Sequence, residues 1–95
     1  MPVAHLIQFK TTSPDDIQTQ LRAYAERELD RNPPKGFLTS RILVRADNKS
    51  VAFYTEWENE EKLEDTRDSA PWEACMDLND IHASGREEAT YKITR

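Results

Sequence analysis

The alternation of apolar and polar positions is most informative in the stretch Gly36–Trp57, GFLTSRILVRADNKSVAFYTEW. It predicts two strands joined by a polar turn over residues 46–50. Because strand side chains alternate faces, each face of this ribbon is expected to carry its own apolar set. One set is Phe37, Leu43, Val51, Phe53 and Trp57, and the other is Leu38, Ile42, Val44, Ala52 and Tyr54. A sheet covered by helices on one side only has a polar outer face, so a second copy of the chain is predicted to cover the second apolar face.

Two further strands and a first helix are predicted around this ribbon. Val3–Phe9 is a short apolar run typical of a strand, and Glu87–Thr94 predicts the last strand, with every second side chain on one face. Ser13 can cap a helix that Pro14 opens, and apolar residues then recur at helical spacing. That helix is expected to end at Asn32-Pro33-Pro34, because proline cannot continue it.

A second helical segment is predicted after the ribbon. Asn59 can cap a short acidic helix over about Glu60–Arg67, and Ser69-Ala70-Pro71 starts a new helix. The element order is then β-α-β-β-α-β. It predicts a ferredoxin-like α+β sandwich in which an antiparallel four-stranded sheet carries helices on one face, built as a single domain over residues 1–95.

Composition narrows the classes of function. The chain has 95 residues, of which 37% are hydrophobic and 33% charged, with a net charge of −5. A core this small gains from further apolar burial in a homodimer. No basic patch suited to nucleic acid is visible, and no apolar run approaches the roughly 20 residues of a membrane span. With a single cysteine, Cys75, and no secretion signal, a cytoplasmic location is predicted.

Two sequence features carry a resemblance to a known family. Pro34-Lys35-Gly36-Phe37 opens the second strand, and the third strand ends in Tyr54–Asn59, YTEWEN, before an acidic helix. Across essentially its whole length the chain resembles the antibiotic biosynthesis monooxygenase branch of the dimeric α+β barrel superfamily. The resemblance implies a homodimer whose two sheets face each other. It also implies oxygenation, without a cofactor, of an aromatic, quinol-like or polyketide-type small molecule in an apolar pocket between sheet and helices.

The branches of this superfamily differ in their functional residues, and each is matched in part. Trp57 stands where the family closes its third strand. Quinone-forming members have an asparagine four residues before that tryptophan and a tyrosine six residues after it, where this chain has Phe53 and Leu63. Neither side chain can donate a hydrogen bond. Haem-degrading relatives need a helical histidine, and none lies between His5 and His82. Related cyclases carry a histidine in the first strand, which His5 resembles.

His5 is therefore the candidate catalytic residue, as a general base near neutral pH. The alternative is a buried or edge histidine that is paired with the backbone. Two other functions stay open: a cyclase or isomerase in which His5 removes a proton next to a carbonyl, and a small-ligand-binding barrel without catalysis.

The candidate substrate-binding residues are Trp57, Phe53, Tyr91, Tyr24 and Arg41. The aromatic side chains are expected to form the walls of the pocket, although large aromatics also dominate ordinary cores. Arg41 either steers an anionic substrate or forms an outward salt bridge. Cys75 is interpreted as a small core residue in an acidic surrounding rather than a reactive thiol. His5, His82 and Cys75 lack the paired spacing of a dedicated metal site, so neither a metal nor another cofactor is expected.

Overall fold

The computed structural model describes residues 1–95 and shows the predicted order of elements. They are β1 Val3–Lys10, α1 Pro14–Tyr24 with a π-helical continuation Ala25–Asp30, β2 Phe37–Val44, β3 Ser50–Trp57, α2 Glu60–Arg67, α3 Ala70–Ile81 and β4 Gly85–Lys92. The four strands form one antiparallel sheet in the order β2-β3-β1-β4. The ferredoxin-like α+β fold expected from the pattern is thereby confirmed.

The helix boundaries follow from local chemistry. Pro14 opens α1, and Asp15 and Asp16 lie in its first turn, where carboxylates favour the positive end of the helix dipole. Asn59 caps α2 by accepting a hydrogen bond from the Lys62 backbone N–H at 3.0 Å. After Tyr24 the helix widens into its π-helical continuation, a local form that is frequent at functional sites.

One face of the sheet is covered by the helices and forms a filled core. The sheet, α1 with its π-helical continuation, and α2 all contribute large, fully buried side chains to this core. They include Trp57, Tyr24, Phe9, Phe53, Ile7, Ile17, Leu21, Leu29 and Leu63. Cys75 is also buried there, and burial raises the pKa of its thiol to about 11. It is therefore a core residue with little thiolate at neutral pH.

A β-bulge changes which residues of β2 face the helices. The pairing of β2 with β3 shifts between Phe37 and Thr39. Beyond the shift, Ile42 lies opposite Phe53 and packs against the core, whereas Leu43 lies opposite Ala52. Because one extra residue reverses the alternation, the expected grouping of Leu43 with the helix-covered face is wrong. The grouping of Ile42 and Val44 with the opposite face is wrong for the same reason, since Val44 pairs with buried Val51.

The second face of the sheet carries no helix. We call it the open face. Its apolar side chains include Leu6, Leu43, Tyr54, Ala52, Ala89 and Tyr91. Leu43 is 49% exposed and Tyr91 is 53% exposed. This confirms that both sides of the central ribbon carry apolar residues. None of the helices has the length and apolar character needed to cross a membrane.

Candidate active site

His5 lies in the middle of β1 on the helix-covered face and is 1% exposed. Its Nε2 atom lies 3.1 Å from Oε1 of Glu88 on the neighbouring strand β4. The two side chains meet because β4 pairs antiparallel with β1, with Glu88 opposite Ile7. Alternation then puts Glu88 on the same side of the sheet as His5 and Ile7.

Glu88 is the centre of an ion-pair network at the rim of the core. Its carboxylate lies 3.6 Å from the Arg67 guanidinium of α2 and 3.7 Å from that of Arg86 on β4. Arg67 is also paired with Glu64 at 2.9 Å, and Arg86 with Asp80 of α3 at 3.3 Å. These contacts hold the carboxylate from several directions, and Glu88 in turn holds the His5 ring.

The Glu88 contact determines which nitrogen of His5 carries the proton. An ionised carboxylate can only accept, so Nε2–H of His5 donates to it. The other nitrogen, Nδ1, has no hydrogen-bond partner and is buried. Burial lowers the pKa of His5, Arg67 lowers it further, and Glu88 partly opposes both. The imidazole is therefore neutral at neutral pH, with the lone pair of Nδ1 unengaged, which is the state required of a general base.

Trp72 of α3 connects His5 to the aromatic residues of the core. Its ring centroid lies 5.8 Å from His5, 5.6 Å from Tyr24 and 6.1 Å from Phe53. Tyr24 and Phe53 contact each other edge to face at 6.3 Å. Trp72 thus occupies the space beside His5, where sequence reasoning expected a pocket. Burial raises the pKa of the Tyr24 phenol, so this hydroxyl stays protonated.

Trp57 is placed differently from these residues. It is fully buried, its Nε1–H donates to Thr55 Oγ1 at 2.9 Å, and its ring contacts Phe37 at 5.4 Å. The polar atom of the indole is therefore already used inside the protein. The geometry gives Trp57 a clear structural role, and its role in binding stays a prediction.

No open cavity lies between the sheet and the helices. The structure has four surface depressions, and none is lined by His5, Phe53 or Trp57. Nearest to His5 is a depression of about 320 Å³ whose lining includes Glu88, Arg67, Trp72 and Met76. Trp72 and Glu88 separate it from the imidazole. Tyr24 lines a different depression, of about 510 Å³, between the end of α1 and the α2–α3 connection.

Two predicted binding residues lie away from His5, on the open face. Arg41 is exposed and pairs across the strands with Tyr54. Tyr91 lies opposite Ala4 and lines a depression with Leu6 and Tyr54. The expectation that Tyr91 shares a pocket with Trp57 is wrong, because the two residues are on opposite faces of the sheet. The structure brings together His5, Tyr24 and Phe53 and leaves Arg41 and Tyr91 apart from them.

Sequence reasoning missed Glu88 and the position of Trp72. A signal for Glu88 was present: alternation along Glu87–Thr94 places it on the face opposite Ala89 and Tyr91. Combined with β1–β4 pairing, that alternation identifies the carboxylate next to His5. Trp72 shares the helical spacing of Cys75 and Met76, which predicts burial but not its contact with the imidazole.

The sequence matches no protein-family model and no curated protein. Its structure, however, is similar to many solved structures. A variant of SnoaB, a cofactor-independent oxygenase from Streptomyces nogalater, aligns with a TM-score of 0.84 and 12% identity, covering 99% of this chain and 94% of that one. An antibiotic biosynthesis monooxygenase aligns with a TM-score of 0.79 and 14% identity over 100% of both chains.

A conserved protein from Methanosarcina mazei Go1 gives a TM-score of 0.83 at 11% identity, with 97% of this chain and 92% of that chain covered. Identities this low establish shared architecture and not shared chemistry. The chain therefore has the fold of the antibiotic biosynthesis monooxygenases.

Proposed function

We propose that this protein is a small monooxygenase that needs no cofactor and oxidises a phenolic, quinol-like or polyketide-type substrate beside His5. The observation that carries this proposal is the buried His5–Glu88 pair, which leaves Nδ1 of a neutral imidazole without a partner. The fold shared with a cofactor-independent oxygenase supports the same reaction class.

In the proposed reaction, Nδ1 of His5 accepts the phenolic proton of the substrate. Glu88 accepts a hydrogen bond from Nε2–H throughout, so it stabilises the imidazolium that forms. The phenolate ring then supplies the electrons that reduce dioxygen. A C–O bond forms on the ring and the O–O bond breaks. One oxygen atom stays in the quinone, and the other leaves as water with the phenolic and ring hydrogens.

Access to Nδ1 requires Trp72 to turn away from the imidazole. Trp72 lies in the first turn of α3, shortly after the Asp68–Ser69 connection, and lines the depression of about 320 Å³ together with Glu88. In the turned position, Tyr24 and Phe53 would remain as aromatic walls for a flat substrate. A closed, apolar surrounding would keep bulk water from the reacting ring.

Oxygen uptake with a panel of phenols and hydroquinones tests the proposal. Loss of a general base typically lowers the rate by about 10²–10⁴-fold, and we expect His5→Ala to do so. Glu88→Gln keeps the shape of the side chain but removes its charge, and a smaller loss is expected. Arg41→Ala, on the other face, is the matched control and is expected to retain the wild-type rate. Equal rates in wild type and His5→Ala would remove His5 from the mechanism.

A second candidate function is a cyclase or isomerase that uses the same base without oxygen. It is favoured by the apolar character of Phe53 and Leu63, which are both buried and offer no hydrogen bond to an oxygenated intermediate. The two functions differ in their need for dioxygen. Product formation that continues under strict anaerobiosis would favour the second, and a strict dependence on dioxygen would support the first.

We also propose that the open face is covered by a second copy of the chain. Leu43, Tyr54 and Tyr91 are apolar side chains that no helix of the chain covers. A twofold pair would bury the same patch on both protomers. The shared fold supports this arrangement. The sheets of the two protomers would face each other and form a closed barrel, as the resemblance implies. Light scattering at micromolar concentration tests the proposal, and a stable monomer would contradict it.

A further inference from the structure

The largest surface depression lies at the end of the sheet where β1 ends and β3 and β4 begin. Its volume is about 600 Å³, and it is lined entirely by polar residues and glycine. The lining residues are Gln8, Lys10, Thr11, Thr12, Arg45, Lys49, Ser50, Ser84, Gly85, Arg86 and Glu87. A depression without apolar walls offers little to an apolar substrate, so it differs in kind from the region around His5.

The charge of this depression is opposite to that of the chain. Lys10, Arg45, Lys49 and Arg86 contribute four positive charges against the single carboxylate of Glu87, whereas the whole chain has a net charge of −5. A concave surface lined by one sign of charge focuses the field and attracts counter-charged ligands. The depression therefore favours anions although the molecule as a whole repels them.

The four basic side chains are not equally available to a ligand. Arg45 is paired with Asp47 at 3.2 Å, and Arg86 with Asp80 at 3.3 Å. Lys10 and Lys49 form no ion pair. The two lysines thus supply positive charge that only the Glu87 carboxylate of the lining offsets, while other carboxylates hold the two arginines in position.

Backbone hydrogen bonds fix the two lysines relative to each other. The backbone N–H of Thr11 donates to the Lys49 carbonyl at 3.1 Å, and that of Ser84 donates to the Lys10 carbonyl at 2.8 Å. The start of β3 and the loop before β4 are thereby tied to the end of β1. The Thr11 hydroxyl already donates to the His82 carbonyl, and the Ser84 hydroxyl donates to the Lys10 carbonyl at 3.5 Å. Thr12 and Ser50 therefore supply the hydroxyls that can donate to a ligand held between the ammonium groups.

We propose that this depression is a binding site for a small anion with two or more negative charges, recognised through phosphate or carboxylate groups. Such a ligand matches the two ammonium groups that form no ion pair, and its remaining oxygen atoms can accept hydrogen bonds from Thr12 and Ser50. A nucleic acid strand fits less well, because it would extend beyond the depression along a chain whose net charge is −5. The site is separate from His5 and lies at the opposite end of β1 from Tyr91. At the site's end of β1, Gln8 shares the open face with Ala52 and Leu43, at the edge of the proposed dimer surface.

Isothermal titration with pyrophosphate and with citrate, run separately, tests the site and distinguishes phosphate from carboxylate recognition. Saturable binding of at least one is expected in the wild type, with an affinity that falls as salt rises. Lys10→Gln/Lys49→Gln should weaken it by at least about tenfold, since each lost charge-assisted contact contributes substantially. We leave Arg86 unchanged because it also contacts Glu88.

Lys35→Gln/Lys92→Gln is the matched control, because it removes the same charge away from the depression. It should bind both anions as the wild type does. Equal weakening by the two double variants would show a general charge effect and overturn the proposal, as would the absence of saturation by either anion. Tighter binding of longer single-stranded DNA would instead indicate a polyanion surface and would also overturn it. Oxygen uptake is expected to be normal in Lys10→Gln/Lys49→Gln, so failure here is distinguishable from failure of the proposed oxygenase.

Discussion

The eight residues of β3 form two faces that differ in how they are covered. Phe53 and Trp57 point to the helices and are at most 1% exposed, whereas Tyr54 between them points to the open face. On the helix-covered side the chain supplies its own cover, down to the hydrogen bond that satisfies the Trp57 indole. On the open side it supplies large apolar side chains and no cover. The comparison shows that a single strand can have one face fully buried by its own chain while the other face leaves apolar side chains exposed.

The candidate chemistry lies on the completed side. His5 and Glu88 meet at the rim of the filled core, where burial lowers the pKa of the imidazole. On the open face, partial burial and the Glu56 carboxylate raise the pKa of Tyr54, but no buried histidine lies beside that pair. In the proposed function, the helix-covered face would serve folding and catalysis, while the open face would serve association.

Among substitutions on the two faces, Trp57→Ala is expected to lower the free energy of unfolding most. It removes a fully buried indole, and such truncations typically cost 3–5 kcal/mol, roughly a third or more of the total stability of a small domain. Tyr91→Ala on the open face is the matched control and should change the free energy of unfolding of the monomer by less than about 1 kcal/mol. Urea unfolding followed by circular dichroism measures both. Comparable losses would contradict the assignment of one face to the core.

The dimer Kd should change with a substitution on the open face and not with one on the outer surface of a helix. Tyr54→Glu places a charge on the open face, and in a twofold dimer two such charges are buried together, so the dimer Kd should rise by about 100-fold or more. Ala23→Glu adds the same charge to an exposed position of α1 and should leave the Kd unchanged. Sedimentation equilibrium gives both values. An unaffected dimer in Tyr54→Glu would place the interface elsewhere.

The pH dependence of stability tests the state of His5. Its pKa is lowered in the folded protein, so the unfolded chain binds the proton more tightly. The contribution of His5 to stability is full above the unfolded pKa of about 6.5 and is lost as the pH falls from there through the folded pKa. His5→Gln should flatten this part of the profile. Urea midpoints between pH 8 and pH 5 measure the difference, and parallel profiles would show that His5 is not perturbed.

The smallest effect is expected from Arg41→Ala. Arg41 is exposed on β2, and its Nη1–H donates only to the Ser40 carbonyl at 3.2 Å. A change of no more than about 0.5 kcal/mol in the free energy of unfolding is expected, as for most surface substitutions. Thermal unfolding at low protein concentration measures it. A larger loss would indicate that this part of the open face has a structural role in the monomer.

Sequence patterns were sufficient to predict most of the fold, because strand alternation, helix starts and helix caps depend on residues close together in the chain. The strand alternation of residues 3–9, the proline that opens α1 and the cap at Asn59 all appear where they were expected. The error in β2 has a physical cause. A bulge between Phe37 and Thr39 inserts one residue, and period-two alternation cannot show where such an insertion occurs.

The sequence by itself determined the element order and the two apolar sides of the central ribbon, since these depend on spacing along the chain. It also singled out His5 as the histidine of the first strand. Only the tertiary structure decided which carboxylate meets that histidine and what fills the space beside it. Glu88 and Trp72 are 83 and 67 positions from His5. Contacts over such separations depend on strand pairing and helix packing, which local patterns do not encode.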